Sequence, residues 1–184
     1  TGVITQSLVD PKSRSWYGEG MTATDKVPRT SVLAYLVILL AVICAAALGA
    51  VVSGGSQDAW YAALEKPRGT PPDIAFAVVW PALFTLMAIG ASLVAHAAGS
   101  WSRASGALGL FFAQLIPNIG WSWLFFGFRM PEVSLIVLVA LWIMILAMIL
   151  AFWRHSKLAA VLQVPYLLWV GFAGYLNSGI VWLN

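Results

Sequence analysis

Ser31 to Val52 reads SVLAYLVILLAVICAAALGAVV, an apolar run without one charged side chain. A helix rising about 1.5 Å per residue crosses the hydrocarbon core of a bilayer with roughly 20 such residues, so the run predicts a spanning helix. Four more qualify: Ile74 to Ala95, Gly106 to Phe128, Val133 to Trp153 and Leu158 to Trp182. Lipid offers no partner to backbone N–H and C=O groups, and a helix satisfies them internally. The expected fold is an all-α integral membrane protein. Residues 31–184 form a five-transmembrane-helix antiparallel bundle, because the last three connectors are short.

Composition agrees, with 61% hydrophobic residues, 9% charged residues and a mean hydropathy of +0.87 over 184 residues. Such values lie outside the range of soluble domains and leave no basic face for nucleic acid. Cys44 stands alone, so no intrachain disulfide forms. Thr1 to Thr30 is polar and reads as a cytoplasmic tail without the apolar run of a signal peptide. Its Trp16 and Tyr17 are expected either to anchor in the headgroups or to dock on a larger membrane complex.

Lys12, Arg14, Lys26, Arg29, Arg103, Arg154 and Lys157 fall on one side of the bundle, against Lys66, Arg68 and Arg129 on the other. Positive residues are retained in the cytoplasm. The N-terminus is therefore expected inside, with the long connector Ser53 to Asp73 on the far side. The expected location is the bacterial inner membrane, with the outer membrane as the alternative.

Ten tryptophans set the functional expectation. Trp60, Trp101, Trp153 and Trp182 lie at predicted helix ends, where indoles anchor. Trp80, Trp121, Trp123, Trp142 and Trp169 lie deeper, where the ring packs on protein, lipid or ligand and the N–H needs a partner. Gln114, Asn118 and Ser122 recur every fourth residue, a polar stripe on one helix face that belongs in the bundle interior as interhelical glue or as a binding wall. Pro117 frees a carbonyl beside that stripe. Ala173 and Gly174, one turn past Trp169, leave room for a neighbouring helix or a ligand. Gly109 with Ala113, and Ala45 with Gly49, are small pairs that permit close helix approach and suggest a homodimer.

Soluble-enzyme signatures are missing: there is no phosphate-binding glycine loop, no metal-spaced His or Cys cluster and no nucleophile set. No carboxylate lies mid-membrane, which argues against a proton-coupled pump. His96 and His155 sit at helix ends as solvated residues or axial haem ligands.

Several ordered motifs carry a resemblance. The connector reads Trp60-Tyr61-Ala62-Ala63-Leu64-Glu65-Lys66-Pro67, followed by Pro71-Pro72 and Val79-Trp80. The third span has Ala113-Gln114-Leu115 and Asn118-Ile119-Gly120-Trp121-Ser122-Trp123-Leu124-Phe125-Phe126-Gly127. The fifth has Val164-Pro165-Tyr166-Leu167-Leu168-Trp169, Phe172-Ala173 and Leu176-Asn177. From Ser31 to Asn184 the chain resembles the translocator protein family, also called tryptophan-rich sensory proteins or peripheral benzodiazepine receptors.

The resemblance implies a bundle, often dimeric in bacteria, whose cavity takes porphyrins, sterols and synthetic ligands. It assigns Trp80 and Trp169 as pocket tryptophans, Gln114, Asn118 and Ser122 as a polar wall, and Trp60, Tyr61 and Pro72 to a lid. Trp121 and Ala173 join the expected site by position. No cofactor is required, and the expected ligand is protoporphyrin or haem. Three other roles follow the resemblance: light-dependent porphyrin breakdown through Trp80 or Trp169, an accessory place in a pigment-bearing complex, and transport of tetrapyrroles or sterols. The chain departs from the family at Arg68-Gly69, where two aromatics are usual, and no cholesterol-recognition stretch is read up to Asn184, so sterols are the less expected guests. Arg68 is the expected partner of a propionate.

Overall fold

The computed structural model describes residues 31–53 and 59–184. The tail Thr1 to Thr30, with Trp16 and Tyr17, and connector residues 54–58 lie outside them. Helix α1 spans Val32–Ser53, α2 Ala59–Ala63, α3 Asp73–Ala98, α4 Trp101–Ser122, α5 Pro131–Trp153, α6 Lys157–Val161 and α7 Val164–Leu183. A π-helical turn, Trp123–Gly127, continues α4, and α6 with α7 forms one span, so among the described residues five spans are long and apolar enough to cross a membrane.

The turns are built by local chemistry. Gly99 stops α3 in the left-handed region at φ 67°, where a Cβ is penalised, and Ser100 accepts from Arg103 N–H to start α4. The connector expected over His96 to Ser105 is therefore two residues long. Sequence reading ends a span at its first polar residues, whereas these helices run on into the headgroup zone with their charged side chains in the end turns. The fifth span is broken where Gln163 precedes α7 and Pro165 enters its first turn without an N–H to donate. Ser156 caps α6, accepting from Ala159 N–H at 3.2 Å.

Each span buries a narrow stripe and leaves the rest to lipid. On α1 the buried residues are Ala34, Ile38, Val42 and Ala45, at helical spacing, while Leu33, Leu36 and Leu40 face outward. Helix α1 packs on α3 and α4, α4 on α5, α5 on α7, and α6 returns to α3, closing the ring of spans. Gly90 of α3 admits Gln163, whose Nε2 donates to the carbonyls of Leu86 and Ala159.

Burial is uneven along α1 and α3, and this unevenness positions the site. The buried residues of α1 end at Ala45, and those of α3 begin at Leu83. The two helices therefore seal against each other at the end away from the long connector and part at the end beside it.

Candidate ligand cavity

The parted ends of α1 and α3, backed by α4, enclose a cavity of about 650 Å³. Its α3 wall comprises Asp73, Phe76, Ala77, Trp80 and Phe84, the i, i+3, i+4, i+7, i+11 face of one helix. The α1 wall is Ile43, Ala46, Ala47, Gly49, Ala50 and Ser53, and the lack of bulk at its alanines and glycine supplies the volume. The α4 wall is Asn118, Trp121 and Ser122, with Phe126 beyond and Tyr61 of α2 over the mouth. Trp123 ties α1 to the π turn, donating its indole N–H to Leu48 O at 3.0 Å.

Trp80 is the centre of the aromatic surface. Its ring lies 6.2 Å from Trp121 at 31° and 5.7 Å from Phe84 at 33°. Trp121 stacks on Phe125 at 5.9 Å and donates to Asn177 Oδ1 at 3.2 Å. Asn177 also accepts from Ser134 at 2.8 Å and donates to Pro131 O at 2.8 Å, so the indole is held from α5 and α7. Trp80 and Trp121 thus set two adjacent rings into the cavity wall.

The polar stripe divides. Asn118 and Ser122 line the cavity, whereas Gln114 is fully buried above it. Gln114 gives Nε2 to Phe111 O at 3.1 Å and receives the Tyr166 hydroxyl at Oε1 at 2.8 Å. Tyr166 in turn accepts from Asn118 Nδ2 at 2.7 Å. Gln114 thus orients Asn118 through Tyr166 and does not itself meet the cavity.

Trp169 also stands apart from the cavity wall. Its ring meets Phe76 edge-on at 5.6 Å and Phe172 at 5.8 Å, one ring behind the wall, with a buried Nε1 that has no partner. The inner partner of Trp80 on the cavity wall is therefore Trp121, while α7 backs that wall with Tyr166, 6.5 Å from the Trp80 ring. Trp60 packs on Phe125 at 5.8 Å beneath Arg129, and Pro72 is exposed just before α3. Ala173 lines a separate void of about 20 Å³ behind Tyr61 and Trp121. Trp142 faces outward on α5.

At the mouth, Tyr61 is buried with its ring edge-on to Phe125 and Phe126. Burial raises its hydroxyl pKa above the usual 10.0, and the nearby Asp73 carboxylate adds to the shift. Asp73, Phe76 and the small α1 face were absent from the site expected from the sequence, which read Gly49 only as part of a helix-packing pair. Their signal was present in helical spacing back from Trp80 and in the run Ala45 to Ala50. Arg68 is exposed, its carbonyl held by the Tyr175 hydroxyl at 3.0 Å. His96 bonds Tyr35 at the opposite end of the bundle, and no group of three metal-ligating side chains gathers among the described residues.

A family model described as the TspO/MBR family matches residues 36–183. The tryptophan-rich protein TspO of Chlorobaculum tepidum is 45% identical over 127 residues, covering 68% of this chain and 79% of that protein. Protein CrtK of Rhodobacter capsulatus is 36% identical over 154 residues, 84% and 94% of the two chains. The translocator protein of Bos taurus is 38% identical over 131 residues, 71% and 78% respectively.

Proposed function

The chain belongs to the TspO/MBR family, and from that premise we propose that it is a membrane receptor holding a flat hydrophobic ligand, of tetrapyrrole class, between α1, α3 and α4. The observation that carries the reading is the cavity of about 650 Å³ with Trp80 and Trp121 on one side and Asn118 and Ser122 beside them. Its size falls within the roughly 300–1,000 Å³ of ordinary ligand pockets, and its lining is the expected mixture of rings with a few polar groups. The macrocycle stacks on the indoles, small α1 residues admit its thickness, and Asn118 meets a polar edge.

The test is a protoporphyrin titration of protein in nanodiscs, followed by tryptophan fluorescence. Saturable quenching is expected. Trp80→Ala weakens affinity about tenfold, the scale of a lost aromatic pair, and Ala47→Phe blocks the cavity outright. Undiminished affinity in both variants sinks the assignment.

A second reading, light-driven breakdown of bound porphyrin, is favoured by the two indoles 6.2 Å apart, which place electron donors beside the guest. Illumination in air that leaves the porphyrin band intact argues for a receptor without turnover. The positive residues at the α3–α4 and α5–α6 turns support a cytoplasmic N-terminus. A C-terminal reporter active only in the cytoplasm should stay silent. Gly106 and Gly109 of α4 face open space, which supports a second copy packing there. Leucine at both positions should abolish dimers in cross-linking.

A further inference from the structure

We infer that Lys66 and Asp73 together read the charged edge of the guest, so that the cavity takes a flat ligand bearing a carboxylate, with its acid edge turned toward Lys66. The inference rests on the reading of the cavity as a ligand site and specifies which ligands it selects.

The connector around Lys66 is held by α7 on both sides. Asn184 brackets Glu65, accepting from its N–H at 3.0 Å and donating to its C=O at 3.1 Å. Pro67 sits against Gly179, where a Cβ would stand 2.6 Å from the proline ring, and Thr70 Oγ1 donates back to Pro67 O at 2.7 Å. With its backbone so placed, Lys66 holds its ammonium 4.5 Å from the centroid of the Tyr61 ring. Tyr61 is a cavity wall, so Lys66 rests on a residue of the mouth without itself lining the cavity. It has no carboxylate partner among the described residues.

Asp73 supplies the opposite charge from the first turn of α3 and is the single carboxylate among the described residues lining the cavity. Among the described residues no Lys or Arg lines the interior. A carboxylate therefore has no counter-charge at depth and stays at the mouth, drawn toward Lys66 and repelled by Asp73, which fixes the guest's orientation. An uncharged guest of the same outline gains nothing from either residue.

The test compares protoporphyrin with its dimethyl ester, the same ring without charge, on protein in nanodiscs of neutral phosphatidylcholine. Lys66→Met should weaken the diacid about fivefold, the scale of one partly exposed ion pair, and leave the ester unchanged. Asp73→Asn should tighten the diacid severalfold, again without effect on the ester. Added salt should weaken the diacid alone. The ester also reports folding of each variant. Equal losses for acid and ester in Lys66→Met overturn the inference, since they reflect lost packing on Tyr61. An equal loss of diacid in Arg68→Gln also overturns it, by showing a general surface potential. If neither porphyrin binds the unaltered protein, the cavity reading itself falls and this inference with it.

Discussion

Asn118 on α4 donates to the Tyr166 hydroxyl on α7 at 2.7 Å, and that hydroxyl can donate only onward, to Gln114 Oε1 at 2.8 Å. Direction along this chain is set by one backbone carbonyl. Phe111 O requires a donor from Gln114, so Nε2 faces it and Oε1 faces Tyr166. The hydroxyl proton is thereby committed to Gln114, and Asn118 must present its amide nitrogen. The cavity's polar wall is thus oriented by atoms that do not touch it.

Tyr166→Phe should leave Gln114 Oε1 and Asn118 Nδ2 unpaired between helices. Each unpaired buried group costs about 1–3 kcal/mol in general, while membrane hydrogen bonds average nearer 0.6 kcal/mol. A net loss of about 1–2 kcal/mol is expected in reversible unfolding from detergent micelles, with ligand affinity falling alongside as Asn118 loses its fixed pose. A variant as stable as the parent, with unchanged affinity, would show that the chain does not orient the wall.

Gly90→Ala drives a methyl into Gln163 Nε2 and toward Ala159 O. Gln163 must leave Leu86 O and Ala159 O, unpinning the joint between α6 and α7. The expected cost is about 2 kcal/mol or more, as for overpacked cores. Because the closest clash is with the Gln163 side chain, a double-mutant cycle with Gln163→Ala should return a coupling of about 1 kcal/mol. Strict additivity would locate the damage elsewhere.

Gly179→Ala and Asn184→Ala both release the connector from α7, one by collision with Pro67 and one by loss of the Glu65 bracket. These contacts lie at the end of the bundle, outside the packed core, so thermal stability should barely change. Stopped-flow displacement should show ligand leaving severalfold faster, since Tyr61 and Lys66 are seated through this connector. Unaltered dissociation rates would mean that the connector does not cover the mouth.

Tyr61 gives a pH dependence with a definite sign. Burial favours its neutral form, and Asp73 adds to the effect, so its pKa in the fold lies above 10.0. As pH rises past 10 the unfolded chain releases this proton first. The folded state is therefore penalised progressively above pH 10, and stability is unaffected by the group below it. Subtracting the phenolate absorbance titration of Tyr61→Phe from that of the parent isolates the group. Asp73→Asn should lower its midpoint without restoring the ordinary value. A midpoint at 10 in the parent would contradict the buried placement.

Five spans were legible because a bilayer imposes a length and a polarity that any apolar run such as Ser31 to Val52 declares. Their ends were less so. The chain carries His96 and Arg103 in end turns, where interfacial water accepts them, and composition cannot distinguish such a turn from a loop. Of the residues the motifs pointed to, Trp80 lines the cavity from α3, and Asn118, Trp121 and Ser122 line it from α4. Gln114 and Ser122 have the same spacing from Asn118, yet one orients Tyr166 and the other meets the cavity. Spacing fixes the face of a helix and not what lies opposite it.

By itself the sequence determined that this is a bundle of membrane-spanning helices, which positions share a helix face, and which side chains are too polar to meet lipid. Those outcomes follow from local geometry and transfer energies that each segment carries alone. Tertiary structure alone decided that Trp80 pairs with Trp121 and not Trp169, that Arg68 turns its carbonyl to Tyr175, and that Lys66 stands over Tyr61. Each of these is a contact between segments distant in the chain, set by where α1 and α3 part and how α7 grips the connector. No residue carries that information until its neighbours are in place.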